Sequence, residues 1–425
     1  MHHFQHKGAN LYAEGVSVAK IAKEVGTPVY IYSKKTLTRH FNAYSDSFAD
    51  VPHLICYSVK ANSNLSVLNT IAAEGGGFDI VSGGELFRVI KAGGDPKKIV
   101  FSGVGKTEEE MEYALKKNIL MFNVESPSEL ALLNKVAGRL KKKAPVAIRV
   151  NPNVDPKTHP YISTGLKKNK FGIERADAMK EYLKGAKSYK NIDFKGVDCH
   201  IGSQLTQISP FIDALRKVLV FIKDLRKKGV EIKYLDMGGG LGIPYDKETP
   251  PHPSEYAEKI IKETKDMDLT LLFEPGRSIA GNAGILVTKV VYTKKGTMKN
   301  FVIVDAAMND LARPSLYGSY HDIQAVKKSN KGKHKCDIVG PICETGDFLA
   351  KDRDLQKFSE GDLVSVMSAG AYGYTMASNY NTRPRAAEVM VDGNKYKVVR
   401  KREKLEQLIE GEAIPPKPAK RRSKR

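Results

Sequence analysis

Eight short apolar runs, each followed by a longer amphipathic stretch, fill residues 36 to 280 of this 425-residue chain. The runs cover residues 53–57, 78–81, 99–102, 121–124, 146–150, 196–199, 234–237 and 271–273. Their length suits buried strands, while stretches such as 128–140 and 210–228 carry apolar residues at helical spacing. Ser126, three residues ahead of Glu129, is a helix-start signal for the first of those stretches. Eight strand–helix units over roughly 240 residues are the size of a (β/α)8 barrel. An open doubly wound sheet is the alternative, and eight units in series favour closure. A chain this long exceeds one core, so a second domain is expected. From about residue 281, short β-rich runs at 285–292, 300–304, 335–339, 362–366 and 395–399 follow one another without long helices. They predict a β-barrel or sandwich, into which 29–31 pairs. The expected fold is therefore α/β, a TIM-like barrel plus a C-terminal β-domain. Residues 1–35 form a segment pairing with the β-domain, 36–280 the barrel, 281–412 the β-domain and 413–425 a disordered basic tail. His2, His3 and His6 read as a mobile polar end.

Charge and cysteine usage narrow the class. The net charge is +21, and six of the positive charges sit within residues 415–425. Such a tail allows non-specific contact with nucleic acid or another polyanion. Elsewhere no aromatic-interleaved basic motif supports a dedicated nucleic-acid domain. Cys56, Cys199, Cys336 and Cys343 have no paired spacing, which argues against zinc and against a disulfide framework. No metal site is expected. A reducing, cytoplasmic setting fits, and no apolar stretch reaches bilayer-spanning length.

In a barrel of this kind, chemistry gathers where strands end. Lys60 follows the first run, Asp79 lies in the second, Arg149 closes the fifth, and His200 follows the sixth. Gly238, Gly239 and Gly240 follow the seventh, and Glu274 the eighth. An ammonium at the end of a buried strand is costly to desolvate, and desolvation lowers its pKa and frees the amine to attack a carbonyl. The triple glycine offers unobstructed backbone N–H groups to a phosphate. Glu274 can bond a ring nitrogen and keep it protonated, and His200 can stack on a heterocycle. Lysine, phosphate loop and carboxylate are the contacts that pyridoxal 5'-phosphate requires.

The segments 57–62, 200–204, 238–240 and 274–277 resemble, in order and character, the fold-type III pyridoxal-phosphate decarboxylases, whose barrels are akin to alanine racemase. Segments 313–317, 341–347 and 369–373 are similar to the branch acting on diaminopimelate, and the likeness spans about residues 10 to 410. That resemblance implies Lys60 as the Schiff-base lysine, His200 as the ring-stacking residue, Glu274 as partner of the ring nitrogen and Asp79 as a polar support. It implies Ser203, Gly239, Gly240, Gly276, Arg277 and Tyr372 as phosphate contacts. Arg277, Arg313, Tyr317, Glu344 and Tyr372 are implied substrate contacts, and Cys343 the proton donor. Cys343 and Glu344 would come from a second subunit, so a homodimer with shared sites is implied. The implied reaction converts meso-2,6-diaminopimelate to L-lysine and carbon dioxide, the last step of lysine biosynthesis. Residue chemistry agrees: Arg313 can pair a remote carboxylate bidentately while Glu344 holds a remote ammonium. Two alternatives stay open, a decarboxylase of ornithine, arginine or a carboxylated polyamine, and a non-catalytic homologue that binds other molecules. Residues 165–172 read either as a lid over the site or as a solvated connection.

Overall fold

Eight parallel strands close into a barrel in the computed structural model of the chain, which describes residues 2–154 and 170–416. They are β1 (His53–Ser58), β2 (Gly77–Ile80), β3 (Ile99–Phe101), β4 (Met121–Val124), β5 (Ala144–Asn151), β6 (Ile192–Asp198), β7 (Tyr234–Asp236) and β8 (Thr270–Phe273). Neighbours pair in chain order, and β8 returns to β1 through Leu271–His53 and Phe273–Ile55. The closed barrel replaces the open-sheet alternative. Helices between the strands start on side-chain caps. Ser126 accepts from the Glu129 amide ahead of Pro127–Arg139, and Thr107 and Glu110 form a reciprocal capping box on Glu108–Lys117.

The barrel interior is layered by strand alternation. Cys56, Val100, Met121, Ala147 and Leu272 make an apolar lower layer. Two residues further along each strand come Ser58, Asp79, Ser102, Asn123, Arg149, Asp198, Asp236 and Glu274, all buried. Each strand thus gives one polar residue to a ring at the C-terminal mouth.

The second body is a sheet built from both chain ends. Val29–Ser33 runs antiparallel to Gly284–Lys295 and parallel to Ala387–Asp392. Asn300–Val304, Lys333–Val339 and Phe348–Gln356 extend one flank, and Lys395–Arg400 the other. Val29, Ile31, Ile285, Val287, Val389 and Val391 form its core.

The N-terminus departs from expectation. Rather than a mobile end, Phe4–Lys7, Asn10–Ala13 and Val16–Ser17 form an antiparallel sheet. Phe4, Leu11, Ala13 and Val16 bury themselves against the core just described. The histidines are tied in as well: His6 Nε2 lies 2.9 Å from the Ala325 carbonyl and His3 Nδ1 2.9 Å from Thr36 Oγ1. Residues 155–169 and 417–425, which include most of the candidate lid and of the basic tail, lie outside the described residues. At 171–172, Phe171 stacks on Arg149 at 4.9 Å and the Gly172 amide donates to Glu125. No helix among the described residues is long and apolar enough to cross a membrane.

Candidate active site

β1 ends at Ser58, and a single turn, Val59–Ala61, presents Lys60 at the barrel mouth. Its Nζ donates to Asp79 Oδ2 at 2.6 Å, and Ser58 Oγ donates to the same oxygen at 2.6 Å. Here the expectation of a lowered lysine pKa is corrected. Burial does press it down, but the charge of Asp79, followed by Glu274 and Tyr372, outweighs burial and the net shift is upward. The side chain keeps 37% of its surface open to the cavity.

His200 follows β6. Its Nδ1 accepts from the Gly239 amide at 3.2 Å, so the neutral ring carries its proton on Nε2. Burial first, then the charges of Arg149 and Lys60, hold its pKa well below the usual value. The triple glycine is a steric necessity at this junction. Gly238 has φ +64°, and a Cβ there would lie 2.6 Å from His200 Nδ1. A Cβ on Gly239 would lie 2.2 Å from the Glu274 carbonyl oxygen. Both partners are held by strands, so Gly239→Ala must separate β7 from β8. We expect at least a ten-fold loss of cofactor affinity and a lower melting temperature, on the order of 2 kcal/mol or more of strain, read by cofactor titration and thermal unfolding.

Glu274 sits inside the polar ring. Ser102 Oγ donates to its Oε1 at 3.0 Å and Asn123 Nδ2 at 3.3 Å. Asn123 Nδ2 also reaches Asp236 Oδ2 at 3.0 Å. Burial, then Asp236 and Asp79, push the Glu274 carboxyl well up, against Lys60 and Arg149. Burial and Asp198 push Asp236 up to about 7. A folded-state acid with a raised pKa binds its proton more tightly than the unfolded chain does. Its contribution to stability therefore falls as pH rises from near 4 through about 7. Asp236→Asn should flatten that limb in thermal unfolding of the cofactor-free protein.

At the other end of the cavity lining, Arg277 donates from Nε and Nη2 to Ser203 Oγ at 3.3 and 3.0 Å, and from Nη1 to Tyr245 Oη at 2.7 Å. Tyr372 lies with its ring 4.9 Å from that guanidinium. Lys60, His200, Ser203, Gly239, Gly240, Glu274, Gly276, Arg277 and Tyr372 line one cavity. Arg313 is buried close by, its Nη2 on Ser319 Oγ at 3.2 Å and its Nε without a partner. Tyr317 stacks on it at 5.8 Å. Cys343 and Glu344 are not in this cavity. They sit exposed on the turn between Lys333–Val339 and Phe348–Gln356, where Asn381 Oδ1 accepts from the Cys343 amide and Tyr380 Oη donates to Glu344.

Residues 34–281 match the pyridoxal-binding domain of the pyridoxal-dependent decarboxylases. The diaminopimelate decarboxylase of Vibrio cholerae is 58% identical over 407 residues, 96% of this chain and 97% of the relative. That of Pseudomonas aeruginosa is 55% identical over 97% of this chain and 99% of its own length. The chain belongs to the diaminopimelate decarboxylase family. Solved structures agree. The Helicobacter pylori diaminopimelate decarboxylase complexed with L-lysine superposes with TM-score 0.89 at 45% identity, covering 92% of this chain and 98% of that one. The M. jannaschii enzyme in co-complex with L-lysine gives TM-score 0.93 at 40% identity, covering 97% and 98%.

Diaminopimelate decarboxylases are pyridoxal-phosphate-dependent carboxy-lyases, and the residues here fit that cofactor. Among the described residues, the amides of Gly240, Gly276 and Arg277 donate to no protein acceptor. With the Arg277 guanidinium they form a donor set suited to phosphate. The polar ring carries Asp79, Asp198, Asp236 and Glu274 against Arg149 and Lys60, an excess of acid that favours a protonated ring nitrogen.

Several residues of this site escaped sequence reading. Ser102, Asn123 and Asp198 were signalled only by their place two residues beyond an apolar interior position. Tyr245 lies in an irregular loop, where no period marks a residue as facing inward.

Proposed function

We propose that Lys60, His200, Glu274, Arg277, Arg313 and the Cys343–Glu344 pair carry the family reaction in this chain. The enzyme removes one carboxyl group of meso-2,6-diaminopimelate as carbon dioxide and yields L-lysine, the last step of lysine biosynthesis. Pyridoxal phosphate, when bound, supplies the carbonyl that amines join and the ring that takes up the electron pair left by the departing carboxylate. Lys60 presents the resident amine, and Asp79 Oδ2, at 2.6 Å, orients it at the barrel mouth. Glu274, held at Oε1 by Ser102 and Asn123, keeps a proton on the ring nitrogen. His200, neutral and fixed by Gly239, supplies a flat face for stacking. Ser203, Gly240, Gly276, Arg277 and Tyr372 bind the phosphate, with Gly239 beside them giving its amide to His200, and Arg277 and Tyr372 are shared with substrate.

Buried Arg313, with a free Nε and no carboxylate partner among the described residues, is the observation that carries the substrate reading. It pairs with the far carboxylate, helped by the Tyr317 hydroxyl, while Glu344 holds the far ammonium. An ornithine or arginine site has no use for that cation, since a buried unpaired charge opposes binding of a substrate that lacks the matching group. Cys343 and Glu344, exposed and outside the Lys60 cavity, complete the site of a second subunit, where the Cys343 thiol returns a proton to the product carbon. Four free cysteines accord with a cytoplasmic setting, and the basic residues of 415–425 with non-specific polyanion contact.

Release of lysine and carbon dioxide from meso-diaminopimelate by the cofactor-loaded protein, beside ornithine and arginine, is the test. Lysine formed from diaminopimelate alone is expected, and turnover of ornithine or arginine instead would overturn the substrate assignment. Arg313→Ala should lower kcat/KM for diaminopimelate by roughly 100-fold, the worth of a charge-assisted bidentate pair.

A further inference from the structure

Two buried guanidiniums share one aromatic ring. Tyr245 Oη accepts from Arg277 Nη1 at 2.7 Å, while Arg313 Cζ lies 5.2 Å and Arg277 Cζ 5.8 Å from the centroid of the Tyr245 ring. Both arginines are 5% exposed, and among the described residues neither has a carboxylate in ion-pairing reach. Burial and the charge of Arg277 both press the Arg313 pKa down. Two cations this close repel, and strongly so away from water. The negative face of an aromatic ring offsets part of that cost. Tyr245 is itself buried and braced, because His321 meets its ring edge-on at 5.3 Å and 78°. His321 Nδ1 donates to the Met367 carbonyl at 2.8 Å, and burial brings its pKa down to about 3. The brace therefore adds no third cation.

We propose that Tyr245 is a positioning residue for substrate selection: hydroxyl on Arg277 and ring face on Arg313, it fixes the distance between the cofactor-phosphate end of the site and the cation that receives the far carboxylate. This rests on the reading of Arg313 as partner of that carboxylate. The spacing acts as a ruler. A dicarboxylic amino acid of matching length satisfies Arg313, and a shorter or monocarboxylic one leaves it unpaired.

Kinetics of the cofactor-loaded enzyme with meso-diaminopimelate test the idea. Tyr245→Leu removes hydroxyl and ring face together. It should raise KM about ten-fold and change kcat by less than about three-fold. Tyr245→Phe keeps the face and loses the acceptor. Its loss should fall on cofactor affinity, weakened about ten-fold by titration, with a smaller rise in KM than leucine causes. In an Arg313→Ala background, Tyr245→Leu should add little, because its effect passes through Arg313. Independent, multiplicative effects of the two substitutions would sink the proposal, as would a phenylalanine variant whose KM rises as far as the leucine variant's. If leucine prevents folding, Tyr245→Met replaces it on the same criteria. A normal KM for Arg313→Ala alone would overturn the substrate reading instead, which keeps the two failures apart.

Discussion

Lys60→Ala lowers turnover of meso-diaminopimelate by at least about 1,000-fold, since no other amine in the cavity can form the covalent link that splits the reaction into easier steps. The cavity lining contains one lysine and no second primary amine. The substitution also leaves Asp79, fully buried, with Ser58 as its remaining side-chain donor. A buried carboxylate stripped of its cation is costly, so the cofactor-free variant should also melt at a lower temperature. Lys60→Arg separates the two effects. The guanidinium can restore charge to Asp79 yet stays protonated and cannot attack a carbonyl. It should recover stability and not turnover. Borohydride reduction of the cofactor-loaded wild-type protein followed by mass spectrometry should place the cofactor mass on Lys60. Label at any other lysine would refute the assignment.

Mixing two inactive variants should restore activity. Cys343→Ala removes the proposed proton donor, which costs roughly 100- to 10,000-fold for a general acid. If each site takes Lys60 from one chain and Cys343 from its partner, a hybrid of Lys60→Ala and Cys343→Ala chains has one intact site and one doubly defective site. Random reassortment at equal amounts makes half of all dimers hybrid, so roughly a quarter of wild-type activity returns. Both lesions would remain in separate, defective sites if each chain served itself, and mixing would then restore nothing. The geometry motivates the experiment. Cys343 is exposed and its backbone amide is held by Asn381, while Tyr380 fixes Glu344. Neither residue lines the cavity that holds Lys60 of the same chain.

The barrel was legible because each strand is a short apolar block between helices with strong caps, and local pattern and final fold agree there. Where they disagreed, the cause was long-range. Phe348–Gln356 was missed because Lys351, Asp352, Arg353 and Asp354 interrupt any apolar alternation, as suits a strand at the end of its sheet. The N-terminal sheet was missed because its few apolar residues find their cover in Ile285 and Val389, hundreds of positions away. The direction of the Lys60 shift was misjudged for a related reason. Burial was visible in the run before it, but the register that sets Ser58 beside Asp79 and brings a carboxylate to the amine was not. Candidate site residues in short motifs stood out one at a time. Their supports, Ser102, Asn123 and Tyr245, acquire meaning only once the strands are laid side by side.

The strand Val29–Ser33 carries a consequence for biosynthesis. All five of its residues are buried, and its partners are Gly284–Lys295 and Ala387–Asp392. The ribosome therefore releases this fully buried strand early and its partner Ala387–Asp392 long after it. At about 5 to 20 residues per second, that strand waits roughly 20 to 70 s with an open edge while the barrel forms behind it. An unpaired apolar edge held that long is a target for strand pairing between nascent chains. Chaperone capture at the N-terminal strand, and a yield that falls when translation slows between residues 290 and 390, are the outcomes expected of a sheet closed by segments so far apart in the chain.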